Sequence, residues 1–374
     1  MNIKQLKDKF LTETLILNSV QNDAEYQLIY LEEAKKAKKK AKSASSDTKG
    51  KLHELLVGYH LKGGHMTKHQ DITGESPKQV HDRLRDQIHP DEYKKIHKRA
   101  KTAAGHIREE HLKAHGDVHD VHWSSKPGDI HRSTGVHSSQ KEDASDIIIH
   151  TRRGKKITHH GVSLKVSDGS NKHVPVSNPG IESTYGGAKI LESHRRHILK
   201  KFPKLRNKGS AERREIMEKH PRIRSYIRGR NTKTLKRITS HLHGKLSEMS
   251  GKDLAHHIKT HVLQSHPTPL QRTGHHHIRH MTYHSGGEQK HHSYDPSTAW
   301  SHMIDDHKNL SVHKSGTRIL FKHKDKTFAV HRMKFTSQSD PHSSIKGSGS
   351  TVGEISSPSK LKKVMNIKKK KRKK

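Results

Sequence analysis

Apolar positions in this chain are sparse, and they cluster at two spacings. Over residues 4–42, Leu6, Phe10, Leu11, Leu15, Leu17, Val20, Leu28 and Leu31 recur at helical spacing ahead of a basic run from Lys35 to Lys42, predicting an N-terminal helical arm over residues 1–47. Residues 43–48 have linker composition, so a new helix is expected just after them. Residues 51–61 carry Leu52, Leu55, Leu56 and Tyr59 on one stripe, with Val57, Gly58 and Leu61 towards the other side. That is the pattern of a helix covered on both faces. Residues 78–115 are charged and interrupted at Pro90, predicting a surface helical hairpin, and 116–143, rich in His, Ser and Gly, read as loop.

The clearest strand signal follows. Asp146-Ile147-Ile148-Ile149-His150 and residues 157–166 flank the basic turn Arg152-Arg153-Gly154-Lys155-Lys156, which predicts a β-hairpin. Residues 171–187 contain Pro175, Pro179, Gly180, Gly186 and Gly187 and read as loop; 188–201 and 210–264 read as basic helices; 265–300 are His-rich and irregular. A second hairpin is expected over 317–323 and 327–335, turning at Lys324-Asp325-Lys326. Residues 343–374 are rich in Ser and Gly and end in seven consecutive basic residues, the composition of a disordered tail. No internal repeat is present.

Charge narrows the partners. The 374 residues hold 75 Lys and Arg against 37 Asp and Glu, a formal +38 with all 40 histidines neutral. Such an excess repels itself unless an anion neutralises it, and a nucleic acid is the obvious polyanion. A membrane surface is disfavoured because an amphipathic anchor needs aromatic and aliphatic residues, and aromatics are 4% here. No run approaches the about 20 apolar residues of a membrane span, and the N-terminus lacks a signal-peptide centre, so an intracellular location is expected: cytoplasm or nucleoid, or a virion. Hydrophobic residues are 28%, well under the usual globular share of about 45%, so the core is expected to sit in few segments. The absence of cysteine excludes disulfides, thiolate nucleophiles and cysteine-ligated zinc.

In the first hairpin, Asp146 opens one strand while Ser163 and Lys165 project from one face of the next. A carboxylate there can hold a divalent cation, and a neighbouring ammonium can position the water that attacks a phosphodiester. Taken with Lys51-Leu52-His53-Glu54 on the covered helix, Ser145-Asp146-Ile147-Ile148-Ile149 and Gly161-Val162-Ser163-Leu164-Lys165 resemble the PD-(D/E)XK nuclease core, especially its phage-encoded branch. The resemblance spans about a third of the chain, mainly residues 50–62 and 143–192. It implies an α/β (α+β) fold with a restriction-endonuclease-like mixed sheet and flanking helices. It further implies a nuclease-like domain over 48–342, with its core at 48–62 and 143–201, a helical insertion at 78–115, basic helices at 202–264 and the second hairpin at 317–335. The basic tail over 343–374 follows that domain. Residue by residue, Glu54 matches the helix glutamate, Asp146 the metal-binding aspartate and Lys165 the lysine of the final triplet, with Mg²⁺ or Mn²⁺ as cofactor. Ser145 stands where the family has Pro and Ser163 where it has an acid, so Glu54, Glu182 or Glu192 would have to complete the ligand set.

Nucleic-acid contacts are expected from Arg152, Arg153, Lys155 and Lys156, from Arg222, Arg224, Arg228 and Arg230, and from Lys368, Lys369, Lys370 and Lys371. The loop from Ser177 to Gly187 could meet a phosphate through backbone amides, and Tyr185 could stack on a base. His275-His276-His277, His280 and His291-His292 could chelate a transition metal, but histidine is spread throughout without ligand spacing and reads mostly as polar surface. His53-Glu54 lacks the second His of the H-E-x-x-H zinc motif, and no HNH pattern can be placed. Three functions are carried forward. They are a Mg²⁺-dependent DNA endonuclease, a DNA-binding or packaging protein without catalysis, and an RNA-binding protein, the last disfavoured by the shortage of aromatics for base stacking. A homodimer and virion association are compatible with the first two.

Overall fold

The computed structural model describes residues 44–67, 74–125, 128–139, 142–167, 173–177, 180, 185–285, 288–299, 306–337, 340 and 343–352. The predicted arm lies outside these apart from residues 44–47, as do the lysine-rich end beyond Val352 and Glu182. In chain order the elements are α1 (Ser46–Leu61), α2 (Pro77–Arg85), α3 (Pro90–Ile107, running on through Arg108–Leu112 and Lys113–His115), β1 (Asp117–Trp123), α4 (Asp129–Thr134), β2 (Ile147–Arg153), β3 (Lys156–Val166) and β4 (His173–Ser177). They continue with α5 (Ala188–Lys201), α6 (Ser210–Lys219), α7 (Pro221–Ser247), α8 (Gly251–His257, continued by Ile258–Val262), α9 (Pro269–Arg272), β5 (His276–Ser285), β6 (Glu288–Tyr294), α10 (Pro296–Ala299), β7 (Leu310–Ser315), β8 (Arg318–His323), β9 (Lys326–Phe335) and β10 (Ile345–Val352).

The fold is α+β, with two five-stranded sheets ordered β1-β2-β3-β5-β6 and β4-β10-β9-β8-β7. The ladders β1–β2, β2–β3, β4–β10, β10–β9, β9–β8 and β8–β7 are antiparallel. The chain forms two compact units. The first takes residues up to Leu164 together with Thr268–His280, and the second takes Lys165–Pro267 and Met281 onward.

In the first unit, Ser45 caps α1 by accepting from the Thr48 amide at 3.1 Å, so the helix opens inside the segment read as linker. Burial on both faces is observed: Leu52, Leu55 and Leu56 are fully buried, and so is Val57 opposite. Gly58 lets the helix pack tightly, since a Cβ there would lie 2.5 Å from Thr67 Cγ2. The hairpin expected on the surface is instead core. Pro90 occupies the first turn of α3, where its missing N–H costs nothing. Tyr93, Ile96, Ala100, Ala103 and Ile107 then bury a stripe that joins α1 in one cluster with Val121, Trp123, Ile147, Ile149, Val162 and Leu164. Burying each large side chain contributes about 1.5–3 kcal/mol, which is how few apolar residues sustain the unit.

Residues 116–143 contain β1 and α4 rather than only loop. A bulge between Val118 and Asp120 breaks the two-residue alternation that would have marked the strand. The first hairpin is as expected, with Arg153 paired to Lys156 around Gly154 at φ 62°.

The second unit buries Leu235, Ile238, Leu242, Ile258, Phe321, Phe328 and Met333 in one cluster, and Ile198, Leu205, Met217, Ile223 and Ile227 in a smaller one under α5, α6 and α7. Its hairpin turns on Lys324 and Asp325, both left-handed, as the sequence predicts. Three segments depart from expectation. Residues 173–177 form the edge strand β4, where Pro175 is tolerated because β4 pairs only with β10. The region 265–300 holds β5 and β6. Residues 345–352, read as disordered, form the strand between β4 and β9; Gly347 lets the His331 ring approach and Gly349 makes room for Ser177 and the Val262 carbonyl. Among the described residues no helix is long and apolar enough to cross a membrane.

Candidate active site and nucleic-acid interface

Asp146 sits immediately before β2, where its groups extend the sheet. Its amide donates to the Val162 carbonyl at 2.9 Å, its carbonyl accepts from the Ser124 amide at 2.9 Å, and its Oδ2 accepts from the Leu164 amide at 2.6 Å. The side chain thereby takes the place of a ladder acceptor and is fixed against β3. Lys165, the next residue on that strand, is half-buried. The register Ile147↔Val162 and the two-residue alternation put Asp146, Ser163 and Lys165 on the sheet face opposite the one that carries Ile147, Val162 and Leu164. Ser163 is fully buried, and its hydroxyl has no hydrogen-bond partner among the described residues.

Glu54 reaches the same end of the sheet from the other side. It lies on α1, which covers the apolar face, and its Oε2 accepts from Trp123 Nε1 at 3.1 Å; Trp123 in turn pairs with Ile147, next to Asp146. Glu192 is exposed on α5 in the second unit and bonded to Arg196 at 3.1 Å. Among the described residues no group of three or more His, Asp or Glu side chains is arranged to hold a metal ion.

The segment leading into Asp146 is locked by residues that sequence reading missed. Asp143 is fully buried; its Oδ1 accepts from the Ser145 amide at 3.1 Å and from the Ser145 hydroxyl at 2.5 Å, and His277 Nδ1 lies 3.2 Å from that hydroxyl. Burial pushes the Asp143 carboxyl up, but the His277 contact and the Ser145 bonds outweigh it and hold the group below the usual carboxylate range. Acidic and His residues separated by more than a hundred positions leave no local signal. Trp123 was equally illegible because its strand was read as loop.

Histidines are not mainly surface residues. His160, His277, His280 and His331 are buried, and across the first sheet the rings of His122, His150, His159 and His275 touch in succession at centroid distances of 4.6, 4.5 and 4.4 Å. Desolvation first, then His150 and His275, drives His159 down to about 4, so this row is uncharged at its centre near neutrality. Tyr185 is buried too, its hydroxyl bonded to His257 at 3.0 Å and His331 at 3.3 Å, which removes it as a base-stacking residue.

Two of the three basic segments lie within the described residues, and Lys368, Lys369, Lys370 and Lys371 lie outside them. Arg152, Arg153, Lys155 and Lys156 are exposed at the far end of β2 and β3, about 20 Å from Asp146 at the usual strand rise. In the second unit, α7 contains no carboxylate over its 27 residues, about 40 Å of helix. Arg222 and Arg228 are exposed and Arg224 and Arg230 half-buried, with Lys233, Lys236 and Arg237 extending the exposed stripe. Comparison with family models, with curated proteins and with solved structures gives no match.

Proposed function

We propose that this protein binds DNA through its basic surface and hydrolyses phosphodiester bonds at Asp146 as an endonuclease dependent on Mg²⁺ or Mn²⁺. The observation that carries the reading is the arrangement at one end of the first sheet. There the Asp146 carboxylate is pinned by the Leu164 amide, Ser163 and Lys165 follow on the same face, and Glu54 is anchored to the neighbouring strand by Trp123. Asp146 would hold the cation, with water and phosphate oxygens as its other ligands, and when bound the cation would neutralise phosphate charge and acidify a water. Lys165, half-buried on the same face as Asp146, would orient the nucleophile.

The test is plasmid cleavage with Mg²⁺ by the full chain and by Asp146→Asn and Lys165→Ala. Asparagine keeps an oxygen to accept from the Leu164 amide, so the fold should survive while cleavage falls at least about a hundredfold. Cleavage at wild-type rates by both variants would end the proposal.

A second reading, DNA binding without hydrolysis, is favoured by Ser163 standing in place of an acid. It predicts binding that persists in EDTA and no nicking with either Mg²⁺ or Mn²⁺.

A further inference from the structure

In the second unit, the chain folds back on itself after α5. Phe202 leaves the helix, Pro203–Leu205 makes a single tight turn, and Asn207, left-handed at φ 52°, redirects the backbone towards α6. Between this connection and the last two turns of α5 lies a cavity lined by Arg196, His197, Leu199, Lys200, Arg206 and Asn207. Three of these are permanent cations, and no carboxylate lines the space. Arg206 is oriented: its Nε donates to the Leu199 carbonyl at 3.0 Å, one of the acceptors a helix end leaves without an intrahelical partner. Arg196 alone has an acidic neighbour, the exposed Glu192 one turn back at 3.1 Å, an arrangement of little energetic weight.

The surroundings add cations rather than relieve them. Lys201 places its ammonium 4.2 Å from the Tyr226 ring centroid, and the Tyr226 hydroxyl is 2.7 Å from His197 Nε2. His197 is held below its ordinary value by desolvation and then by Arg230, Lys201 and Lys200, so positive charge is concentrated here. Residues 188–247, from α5 to α7 with their connections, carry nineteen Lys and Arg against four Glu. An anion seated in a concave site with several cations and no carboxylate in its lining would relieve their mutual repulsion. Guanidinium and ammonium groups around a small hollow match the oxygens of a phosphate.

We infer that this cavity is a phosphate pocket that seats a backbone phosphate of a polynucleotide, an anchoring contact supplied by the second unit. The inference rests on the nucleic-acid reading above and adds Arg196, Lys200 and Arg206 to its contacts. It requires no hydrolysis, so it can be tested in EDTA whatever the fate of the Asp146 site.

The experiment is fluorescence anisotropy of a labelled duplex with the full chain in EDTA over a series of salt concentrations. The Arg196→Gln/Lys200→Gln pair should weaken binding about tenfold and make the plot of log affinity against log salt shallower by about one to two, the loss of one or two phosphate contacts. A control pair of equal charge loss, Lys252→Gln/Lys326→Gln, should change affinity by less than about threefold, the part owed to net charge alone. Lys200→Glu, at an exposed position, gives an independent measure and should weaken binding at least as much as the pair. If the pocket variants match the control pair while wild type binds DNA, the pocket is wrong and the nucleic-acid reading stands. If wild type does not bind DNA, both fall. A melting-temperature rise with inorganic phosphate that needs Arg196 and Lys200, together with no response of those residues to duplex, would overturn the polynucleotide assignment in favour of a small phosphate ligand.

Discussion

At Gly161 and Ser163 the chain shows how closely the candidate site is built. A Cβ at Gly161 would collide with the Ser145 hydroxyl and lie 3.2 Å from both His277 Nδ1 and Leu270 Cδ2. Gly161→Ala should therefore destabilise the first unit by about 1–3 kcal/mol, measured by urea titration, because the lock that leads into Asp146 must open to admit a methyl group. Ser163→Asp asks a different question. A carboxylate at that fully buried position lacks a partner, so without metal the variant should melt below wild type. If a cation binds beside Asp146, adding Mg²⁺ should raise the melting temperature of Ser163→Asp more than that of wild type, since a ligand that binds only the native state stabilises it. Equal responses to Mg²⁺ would count against a metal site at this edge.

At the scale of elements, legibility followed the way each element satisfies its backbone. Helices with apolar stripes could be read: α5 runs over the residues expected, and α1 differs only at its start, where Ser45 caps it earlier than the linker composition suggested. The Ile147–Ile149 run and the Gly154 turn made β2 and β3 equally plain. Strands built from His, Ser and Gly were missed because burial there is bought with imidazoles and close backbone approach rather than aliphatic alternation, as β5 and β10 show. Asp146 and Lys165 stand out in the sequence as candidates; the Asp143–Ser145–His277 lock exists only once distant segments meet, and the cavity after α5 only once the chain turns back at Asn207.

Those buried imidazoles make the elements acid-sensitive. Burial is the first cause that lowers His160 to about 3, His257 to about 3, and His194 and His331 to about 4. Each folded value lies below the ordinary 6.5, so the unfolded chain takes up protons that the native state refuses. Stability is therefore complete above pH 6.5 and declines as pH falls from there towards the folded values, on the order of 1.4 kcal/mol per pH unit for each such histidine. Both units carry such groups, so urea midpoints should drop between pH 7 and pH 5. His160→Gln should blunt the pH dependence of the first unit, and an unchanged profile would show that His160 is not the sensor.

For the whole molecule, one cause should give two opposite salt responses. A formal +38 on 374 residues works against compactness, and α7 concentrates part of that charge on a helix without a single acid. Without a polyanion, added salt screens the self-repulsion, so the melting temperature should rise with ionic strength. With duplex DNA in EDTA, bound phosphates neutralise the same cations, so the melting temperature should start high at low salt. It should then fall as counterions compete for the DNA, because the affinity that confers the stabilisation drops steeply with salt. The two melting curves are expected to converge from above and below at high salt. Scanning fluorimetry of the full chain with and without duplex reads both directly. Two curves that run parallel at every salt concentration would mean that DNA does not relieve the charge, and the polyanion assignment on which every functional reading here depends would have to be abandoned.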